Sequence, residues 1–185
     1  MQALIDGAPY EGGELAFVLS SHAGAYALER AEKAGIPHET LEPSAFADRE
    51  SYTEAVIERL LAREIDLVVL AGFMFILSPR FTQVFPKKVI NVHPALIPAF
   101  CGKGFYGLRV HRAALDYGVK VTGATVHFVT EITDGGPIIS QKAIDIFDGD
   151  TPESLQLRVM EQCERPLLVG AVRGLCAERG MSDGG

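Results

Sequence analysis

The sequence predicts a single three-layer α/β domain, residues 1–185, with a mostly parallel sheet and antiparallel strands added late in the chain. Short apolar runs alternate with segments of helical periodicity through the first half, as in strands joined by helices. The run at 66–71 is almost wholly apolar between its ends, which is typical of a parallel strand buried on both faces. Two long extended stretches flank Asp134-Gly-Gly. With 185 residues and 48% hydrophobic content, the chain can bury a substantial core.

Each predicted element has a local cause. The helix at 50–63 carries apolar residues at every fourth position from Tyr52 to Leu60, with charged residues opposite. Thr151 and Pro152 begin the last predicted helix, because threonine caps free helical amides and proline suits the first turn. In chain order, the other predictions are a strand at 15–19, a helix at 26–34, a strand at 37–41, the helix at 50–63, strands at 66–71 and 88–91 with a short helix at 79–85 between them, and extended stretches at 119–130 and 137–146.

The composition favours a protein that binds small molecules. A net charge of −7 and a pI of about 5.2 argue against a general nucleic-acid binder, but they allow a small basic patch for a phosphorylated metabolite. No apolar run reaches the ~20 residues that span a bilayer, and no signal peptide is recognisable, so we expect a cytoplasmic protein. Cys101, Cys163 and Cys176 are odd in number and lack metal-ligand spacing, which predicts reduced thiols and no metal site.

Three side chains predict one site for acyl transfer: the amide of Asn91, the imidazole of His93 and the carboxylate of Asp134. Asn91 and His93 lie at the end of a predicted strand, and open α/β sheets bind ligands beyond the carboxyl ends of their strands. When an amine attacks a carbonyl-level carbon, an amide can donate to the oxyanion and an imidazole can move the proton between amines. A carboxylate beside the imidazole orients the ring.

Structural roles for the same residues are alternatives at this point. His93 could be a strand-end histidine bonded to a backbone carbonyl, Asn91 could bond the backbone, and Asp134 could be an ordinary turn residue before two glycines. His127 lies on an alternating strand and is predicted to support the site without acting directly in catalysis. The remaining histidines have no partner pattern and are predicted at the surface: His22, His38 and His111.

Four motifs follow one another along the chain. They are Ala71-Gly-Phe-Met74 through Leu77-Ser-Pro79, Val89-Ile-Asn-Val-His-Pro94-Ala-Leu-Ile-Pro98, Gly123-Ala-Thr-Val-His127-Phe-Val, and Asp134-Gly-Gly-Pro137. Together they resemble the phosphoribosylglycinamide formyltransferases of the folate-dependent formyltransferase family, over nearly the whole chain. The resemblance implies a Rossmann-like formyltransferase fold. It also implies transfer of a formyl group from 10-formyltetrahydrofolate to the amine of glycinamide ribonucleotide in de novo purine biosynthesis.

The resemblance implies residue roles as well. Asn91, His93 and Asp134 take the catalytic roles, with His93 as the proton donor and no metal. The folate cosubstrate is expected at Arg49, Met74, Phe75, Ile76, Leu77, Asn91, Thr130, Glu131, Ile132, Thr133 and Asp134. The ribonucleotide is expected at Gly72, Pro94 and Glu164. No nucleic-acid or membrane partner is expected, whereas a homodimer is compatible with the resemblance.

The chain departs from the family's pattern in three places. Met1-Gln-Ala-Leu-Ile5 resembles the helix that follows the family's first strand and Gly-rich phosphate loop, so this strand and loop are expected to be missing. Phe75 stands where some members carry Arg, and the spacing in Glu164-Arg-Pro166 is shorter than the family's. Because of the missing strand, a truncated folate-binding pseudoenzyme is one alternative. A formyltetrahydrofolate deformylase, which hydrolyses the same donor, is the other, although the Asn91-Val-His93-Pro94 context favours the transferase. A methionyl-tRNA formyltransferase is not expected, because members of that family normally carry a further basic domain at the C-terminus, whereas this sequence is short and acidic.

Overall fold

The computed structural model describes the backbone of residues 1–182 and the side chains of residues 1–178. Helices and strands alternate as predicted up to residue 93, and two long strands follow. In chain order the elements are α1 (Gln2–Asp6), β1 (Val18–Ser20), α2 (Tyr26–Lys33), β2 (His38–Thr40), α3 (Arg49–Leu61), β3 (Val68–Leu70), α4 (Pro79–Val84), β4 (Val89–His93), α5 (Leu108–Tyr117), β5 (Val121–Phe128), β6 (Ile138–Asp145), α6 (Pro152–Val159) and α7 (Arg165–Ser182). A π-helical segment, Met160–Glu164, joins α6 to α7. Within residues 1–182, no helix combines the length and apolarity that crossing a membrane requires.

The strands form a sheet in two parts. β1 and β2 pair in parallel, with Val18 opposite His38. The other part contains β3, β4, β5 and β6 in that order, with β3 and β4 parallel and the last two pairs antiparallel. The α/β class and the late antiparallel strands are thus confirmed. Within the described residues, no strand pairing joins β1 to β3.

Side chains from helices pack on both faces of the four-stranded part, which confirms three layers. Val68 and Leu70 of β3 pack with a cluster around α3 and α4, whereas Leu67 and Val69 pack with a cluster that includes α1 and α7. This division follows from strand geometry, because successive side chains point to opposite faces. The buried members include Tyr52, Val56, Leu60 and Phe81 in the first cluster, and Leu4, Ile90, Val126 and Val172 in the second.

Two helices begin at capping boxes. The Asp48 carboxylate accepts from the Ser51 amide at 2.7 Å before α3, and the Thr151 hydroxyl accepts from the Ser154 amide at 3.2 Å before α6. A cap of this kind stabilises a helix by about 1 kcal/mol. The predicted cap at Thr151 is confirmed.

Helix α5 lies outside the predicted elements, and the surface position predicted for His111 is wrong. Val110, His111 and Ala114 form the buried face of this helix, and the His111 side chain is fully buried. Neither of its ring nitrogens has a hydrogen-bond partner among the described residues. Burial and the nearby charge of His93 lower the pKa of His111 to about 4, so the ring is neutral at physiological pH. The helical spacing puts His111 on the same face as Val110 and Ala114, and the packing of that face into the fold buries the histidine.

Gly123 tests the close packing of β5 against β6. A Cβ on Gly123 would lie 2.0 Å from the carbonyl oxygen of Lys142, so Gly123→Ala is expected to lower the free energy of unfolding by about 2 kcal/mol or more. A Cβ on Gly174 in α7 meets no atom within 4 Å, and Gly174→Ala is expected to raise that free energy by up to about 1 kcal/mol. Chemical denaturation measures both changes. Equal stability of the two variants would contradict the packing.

Candidate active site

Three predicted side chains meet at the carboxyl end of β4. Asn91 and His93 are alternate residues of this strand, so their side chains point to the same side of the sheet. Asp134 lies in the turn between β5 and β6, and its Oδ2 is 3.6 Å from Nδ1 of His93. The two side chains are nearly buried, with 5% of His93 and 9% of Asp134 exposed. The structure therefore brings together an amide, an imidazole and a carboxylate.

The turn that carries Asp134 depends on its local sequence. Asp134 has a positive φ of 55°, a conformation that aspartate adopts more readily than most residues. A Cβ on Gly136 would lie 1.8 Å from the carbonyl oxygen of Phe128, so the chain can pass there only as glycine. The Asp-Gly-Gly sequence thus fixes where the carboxylate points.

His93 has an acceptor at each ring nitrogen. Its Nε2 donates to the carbonyl oxygen of Phe100 at 2.9 Å, and its Nδ1 faces the Asp134 carboxylate. Both oxygens can only accept, so a protonated imidazole satisfies both, whereas a neutral ring turns one lone pair towards an oxygen. The bond to a backbone carbonyl, which the sequence left as a structural alternative, is therefore present together with the carboxylate contact.

The Asp134 carboxylate is held in its charged form by the groups around it. Burial raises the pKa of Asp134, but the side chain of His127, the backbone amide of Gly102 and the imidazole of His93 together bring it below its ordinary value. The Gly102 amide donates to Oδ2 at 2.8 Å, and Nε2 of His127 is 3.7 Å from Oδ1. Asp134 therefore remains an anion that faces two imidazoles.

His127 contacts Asn91 across the β4 and β5 pairing. The Nδ1 of His127 is 2.9 Å from the carbonyl oxygen of Phe128, which requires the proton on that nitrogen. Nε2 of His127 lies 3.4 Å from the Asn91 amide nitrogen and 3.7 Å from Oδ1 of Asp134. In the neutral ring with its proton on Nδ1, Nε2 accepts from the Asn91 amide, whereas in the protonated ring it donates towards the Asp134 carboxylate. The neutral form of His127 thus supplies an acceptor for the Asn91 amide. The predicted supporting role of His127 requires contact with a catalytic side chain, and the contact with Asn91 is of that type.

The segment after β3, expected to line the folate site, alternates between solvent and core. Met74 and Ile76 are 62% and 63% exposed, whereas Phe75 and Leu77 pack against the cluster around α3. The ring of Phe75 meets that of Tyr52 edge-on, with 4.7 Å between the centroids. Met74 and Ile76 are therefore free to contact a ligand, while Phe75 supports the segment from the core side.

The other residues expected at the folate site lie on the loop after β5 and at the start of α3. Ile132 is 71% exposed, and the Thr130 hydroxyl donates to its carbonyl oxygen at 3.3 Å. Glu131 accepts from the side chain of Gln83 at 3.4 Å, and Thr133 is exposed. Arg49, the first residue of α3, pairs with Glu50 at 3.2 Å on the surface. No described contact joins Arg49 to Asn91, His93 or Asp134.

The residues expected to bind the ribonucleotide lie on three different segments. Gly72 is exposed after β3 with a φ of 68°, and Pro94 is half-buried directly after His93. Glu164 ends the π-helical segment, which packs against β5. Burial raises the pKa of Glu164 to about 7, although the charge of Arg165 opposes the shift. The side chain of Glu164 therefore titrates near neutral pH.

Within the described residues, no three His, Cys, Asp or Glu side chains form a group that could hold a metal ion. Cys101, Cys163 and Cys176 are free thiols, and Cys163 is fully buried in the core. A reaction without a metal stays a prediction from the chemistry of the three site residues.

Comparison with known proteins shows a family match over most of the chain. Residues 1–172 match the family model described as formyl transferase. The chain is 42% identical to phosphoribosylglycinamide formyltransferase of Escherichia coli (strain K12) over 164 residues, which are 88% of this chain and 75% of that protein. It is 40% identical to the trifunctional purine biosynthetic protein adenosine-3 of Gallus gallus over 163 residues, which are 87% of this chain and 16% of that protein.

Solved structures show the same similarity. The crystal structure of glycinamide ribonucleotide transformylase 1 from Symbiobacterium toebii has a TM-score of 0.88 with this chain at 40% sequence identity. The match covers 96% of this chain and 82% of that one. The family match includes every residue that the sequence predicted for the site.

Glu164→Gln tests the buried carboxyl group. The folded-state pKa of about 7 lies above the ordinary value of 4.5, so the folded protein holds a proton that the unfolded chain releases between these pH values. The stability that Glu164 contributes is therefore present below about pH 4.5 and is lost as the pH rises through 7. Relative to the unchanged protein, Glu164→Gln is expected to gain up to about 3 kcal/mol of stability between pH 4.5 and 8.

Denaturant titrations across this pH range measure the difference. The control is Glu161→Gln, which changes an exposed carboxylate of the same segment and is expected to follow the unchanged protein. Parallel stability curves for Glu164→Gln and the unchanged protein would show that Glu164 is ionised in the fold.

Proposed function

Since the chain belongs to the formyl transferase family, we propose that it transfers a formyl group to the amine of glycinamide ribonucleotide in de novo purine biosynthesis. Its relatives in Escherichia coli and Symbiobacterium toebii are named for this reaction. The observation that carries the proposal is the meeting of Asn91, His93 and Asp134 at the end of β4. These three groups can perform the chemistry of formyl transfer.

The proposed formyl donor is 10-formyltetrahydrofolate. Met74 and Ile76 after β3 and Ile132 in the loop after β5 are exposed apolar side chains near the site segments. Exposed apolar side chains can cover the faces of a flat heterocycle, and burying them removes apolar surface from water. These side chains support a folate rather than a small, wholly polar donor.

Each group has one task in the proposed step. The substrate amine attacks the formyl carbon and forms the new C–N bond, while the formyl oxygen becomes an oxyanion that the Asn91 amide stabilises. The oxyanion then collapses, the bond from the formyl carbon to the folate nitrogen breaks, and His93 passes the proton from the attacking amine to that nitrogen. Asp134 keeps the imidazole oriented and balances its charge.

His93 must exchange one hydrogen bond before it can act. Its Nε2 is occupied by the carbonyl oxygen of Phe100, while its Nδ1 stays turned towards Asp134. Nε2 is therefore the nitrogen that reaches the reacting atoms once it leaves this carbonyl.

A cytoplasmic location and a homodimer stay predictions. Size-exclusion chromatography with light scattering decides the second. The proposed reaction also predicts that a chelator leaves turnover unchanged, since the step requires no Lewis acid.

His93→Ala and Asp134→Ala test the catalytic assignment. Each is expected to lower kcat for formyl transfer by at least 100-fold, because each removes a group that acts mainly in the transition state. Asn91→Ala is expected to cost roughly 100- to 1000-fold, as for loss of one oxyanion donor. Transfer from 10-formyltetrahydrofolate to glycinamide ribonucleotide is followed spectroscopically, and folate binding is measured separately by calorimetry.

The matched control is His38→Ala, which removes an exposed histidine from β2 and is expected to keep full activity. Equal losses of folate binding and turnover in His93→Ala would reject the catalytic role. Formate release without the ribonucleotide would identify a deformylase, and folate binding without any turnover would identify a pseudoenzyme.

His127 tests the positioning of Asn91. His127→Leu removes the acceptor that holds the Asn91 amide, and turnover is expected to fall by roughly 10- to 100-fold, less than for loss of Asn91 itself. His127→Gln can place an amide oxygen towards Asn91 and is expected to recover part of this loss. Steady-state rates and thermal unfolding are measured on both variants. If the two variants have equal turnover at equal stability, the Asn91 contact is not what His127 supplies.

A further inference from the structure

A cleft with a cavity volume of about 520 Å³ lies between α1, α2 and the start of α7, and three arginines line it. Arg30 comes from α2, and Arg165 and Arg173 come from α7. Arg165 and Arg173 are eight residues apart, which places them on one side of the helix about 12 Å from each other. The cleft thus brings together three positively charged side chains in a protein whose net charge is −7.

Among the described residues, the three arginines of this cleft form no ion pair with a carboxylate within 4 Å, although Arg165 is near enough to the adjacent Glu164 to oppose the rise of its pKa. Five other arginines have a carboxylate within 4 Å: Arg49, Arg59, Arg63, Arg80 and Arg158. Asp6 is the carboxylate in the lining, and its Oδ1 accepts from Gln2 at 2.8 Å. Three guanidinium groups therefore face one carboxylate.

Arg30 and Arg165 are the pair best placed to share a ligand. Burial lowers the pKa of the Met1 amino group, and the charges of Arg30 and Arg165, which both lie near this amine, lower it further. Arg30 also lies over the ring of Tyr26, 5.3 Å from its centroid, which holds its planar group in place. Arg173 lies towards Gly7, to whose carbonyl oxygen it donates at 2.8 Å. Arg173 adds charge at the other end of the cleft.

We propose that this cleft binds a phosphate monoester through Arg30 and Arg165, and that the phosphate is that of the ribonucleotide substrate. A guanidinium group offers paired N–H donors that match two phosphate oxygens, and arginine keeps its charge at any physiological pH. A phosphate dianion requires such cations, and among the three catalytic side chains only the His93 imidazole can be positive. The identification with the substrate rests on the proposed function, whereas the phosphate site itself does not.

The π-helical segment connects the cleft to the catalytic strands. Glu164, the last residue of this segment, directly precedes Arg165, and the segment packs against β5. β5 carries His127, which contacts both Asn91 and Asp134. In this proposal, Glu164 is the carboxyl group nearest in sequence to the phosphate at Arg165, which makes it the candidate partner for the sugar of the ribonucleotide.

Titration with inorganic phosphate at constant ionic strength tests the cleft, with isothermal calorimetry on the 185-residue chain. The unchanged protein is expected to bind phosphate, and Arg30→Gln and Arg165→Gln are each expected to weaken binding at least tenfold. Arg165→Lys keeps a positive charge without the paired N–H donors, and its phosphate affinity is expected to lie between those of the unchanged protein and Arg165→Gln. The control is Arg80→Gln, which removes an exposed arginine of α4 paired with Glu54 and should bind phosphate normally. Absence of phosphate binding by the unchanged, folded protein would overturn the proposed site.

Steady-state kinetics identify the source of the phosphate. If the cleft holds the substrate phosphate, Arg30→Gln and Arg165→Gln raise KM for glycinamide ribonucleotide at least tenfold and change kcat less than threefold. Inorganic phosphate then competes with the ribonucleotide in the unchanged protein. Loss of phosphate binding with an unchanged KM would overturn the assignment to the substrate. Absence of turnover in a protein that still binds phosphate would reject the proposed reaction and leave the anion site standing.

Discussion

The antiparallel pairing of β4 with β5 is the constraint on which the site depends. In this register Asn91 lies opposite His127, and His93 lies opposite Thr125. The Thr125 hydroxyl donates to the Ala95 carbonyl at 2.7 Å and accepts from the Ile97 amide at 3.1 Å, which fixes the chain just after His93. A slip of one residue would turn both Asn91 and His93 to the other face of the sheet. One strand pairing thus orients the amide, the imidazole and the backbone that follows them.

The parts of the site that the sequence predicted are those with local causes. Asn91 and His93 end a strand whose apolar run is visible in the sequence, and at Gly136, two residues after Asp134, only glycine can pass the carbonyl oxygen of Phe128. Most strands and helices between residues 15 and 93 were predictable for the same reason, because they have an apolar run, a helical periodicity or a terminating glycine of their own. The order in which the strands pair was not predictable from local patterns, since strand neighbours are set by tertiary packing.

The features that the sequence could not place depend on contacts between distant residues. The contact of His127 with Asn91 requires the β4 and β5 register, which no local pattern specifies. His111 was misplaced because the fully buried face of α5 becomes clear only when the helix packs into the fold. The meeting of Arg30 with Arg165 likewise requires α2 and α7 to converge on one cleft, and composition allowed only a basic patch of unknown position. Phe75 shows the same limit, since its inward ring is decided by Tyr52.

The division of the sheet separates two units that can unfold locally to different extents: β1, α2 and β2 form one, and the strands β3 to β6 with their helices form the other. Among the described residues, the backbone hydrogen bonds of β1 and β2 are not shared with β3 to β6, and Phe17 and Leu19 join the rest through side-chain packing on the α3 cluster. Local opening of β1, α2 and β2 therefore breaks no ladder bond of the catalytic strands, so slowly exchanging amide protons belong in β4 and β5. Arg30 stands on the first unit and Arg165 on the second. An anion that contacts both arginines would bind only when the two units are packed together as in this structure. Its binding free energy would therefore add to the free energy that opposes their local separation.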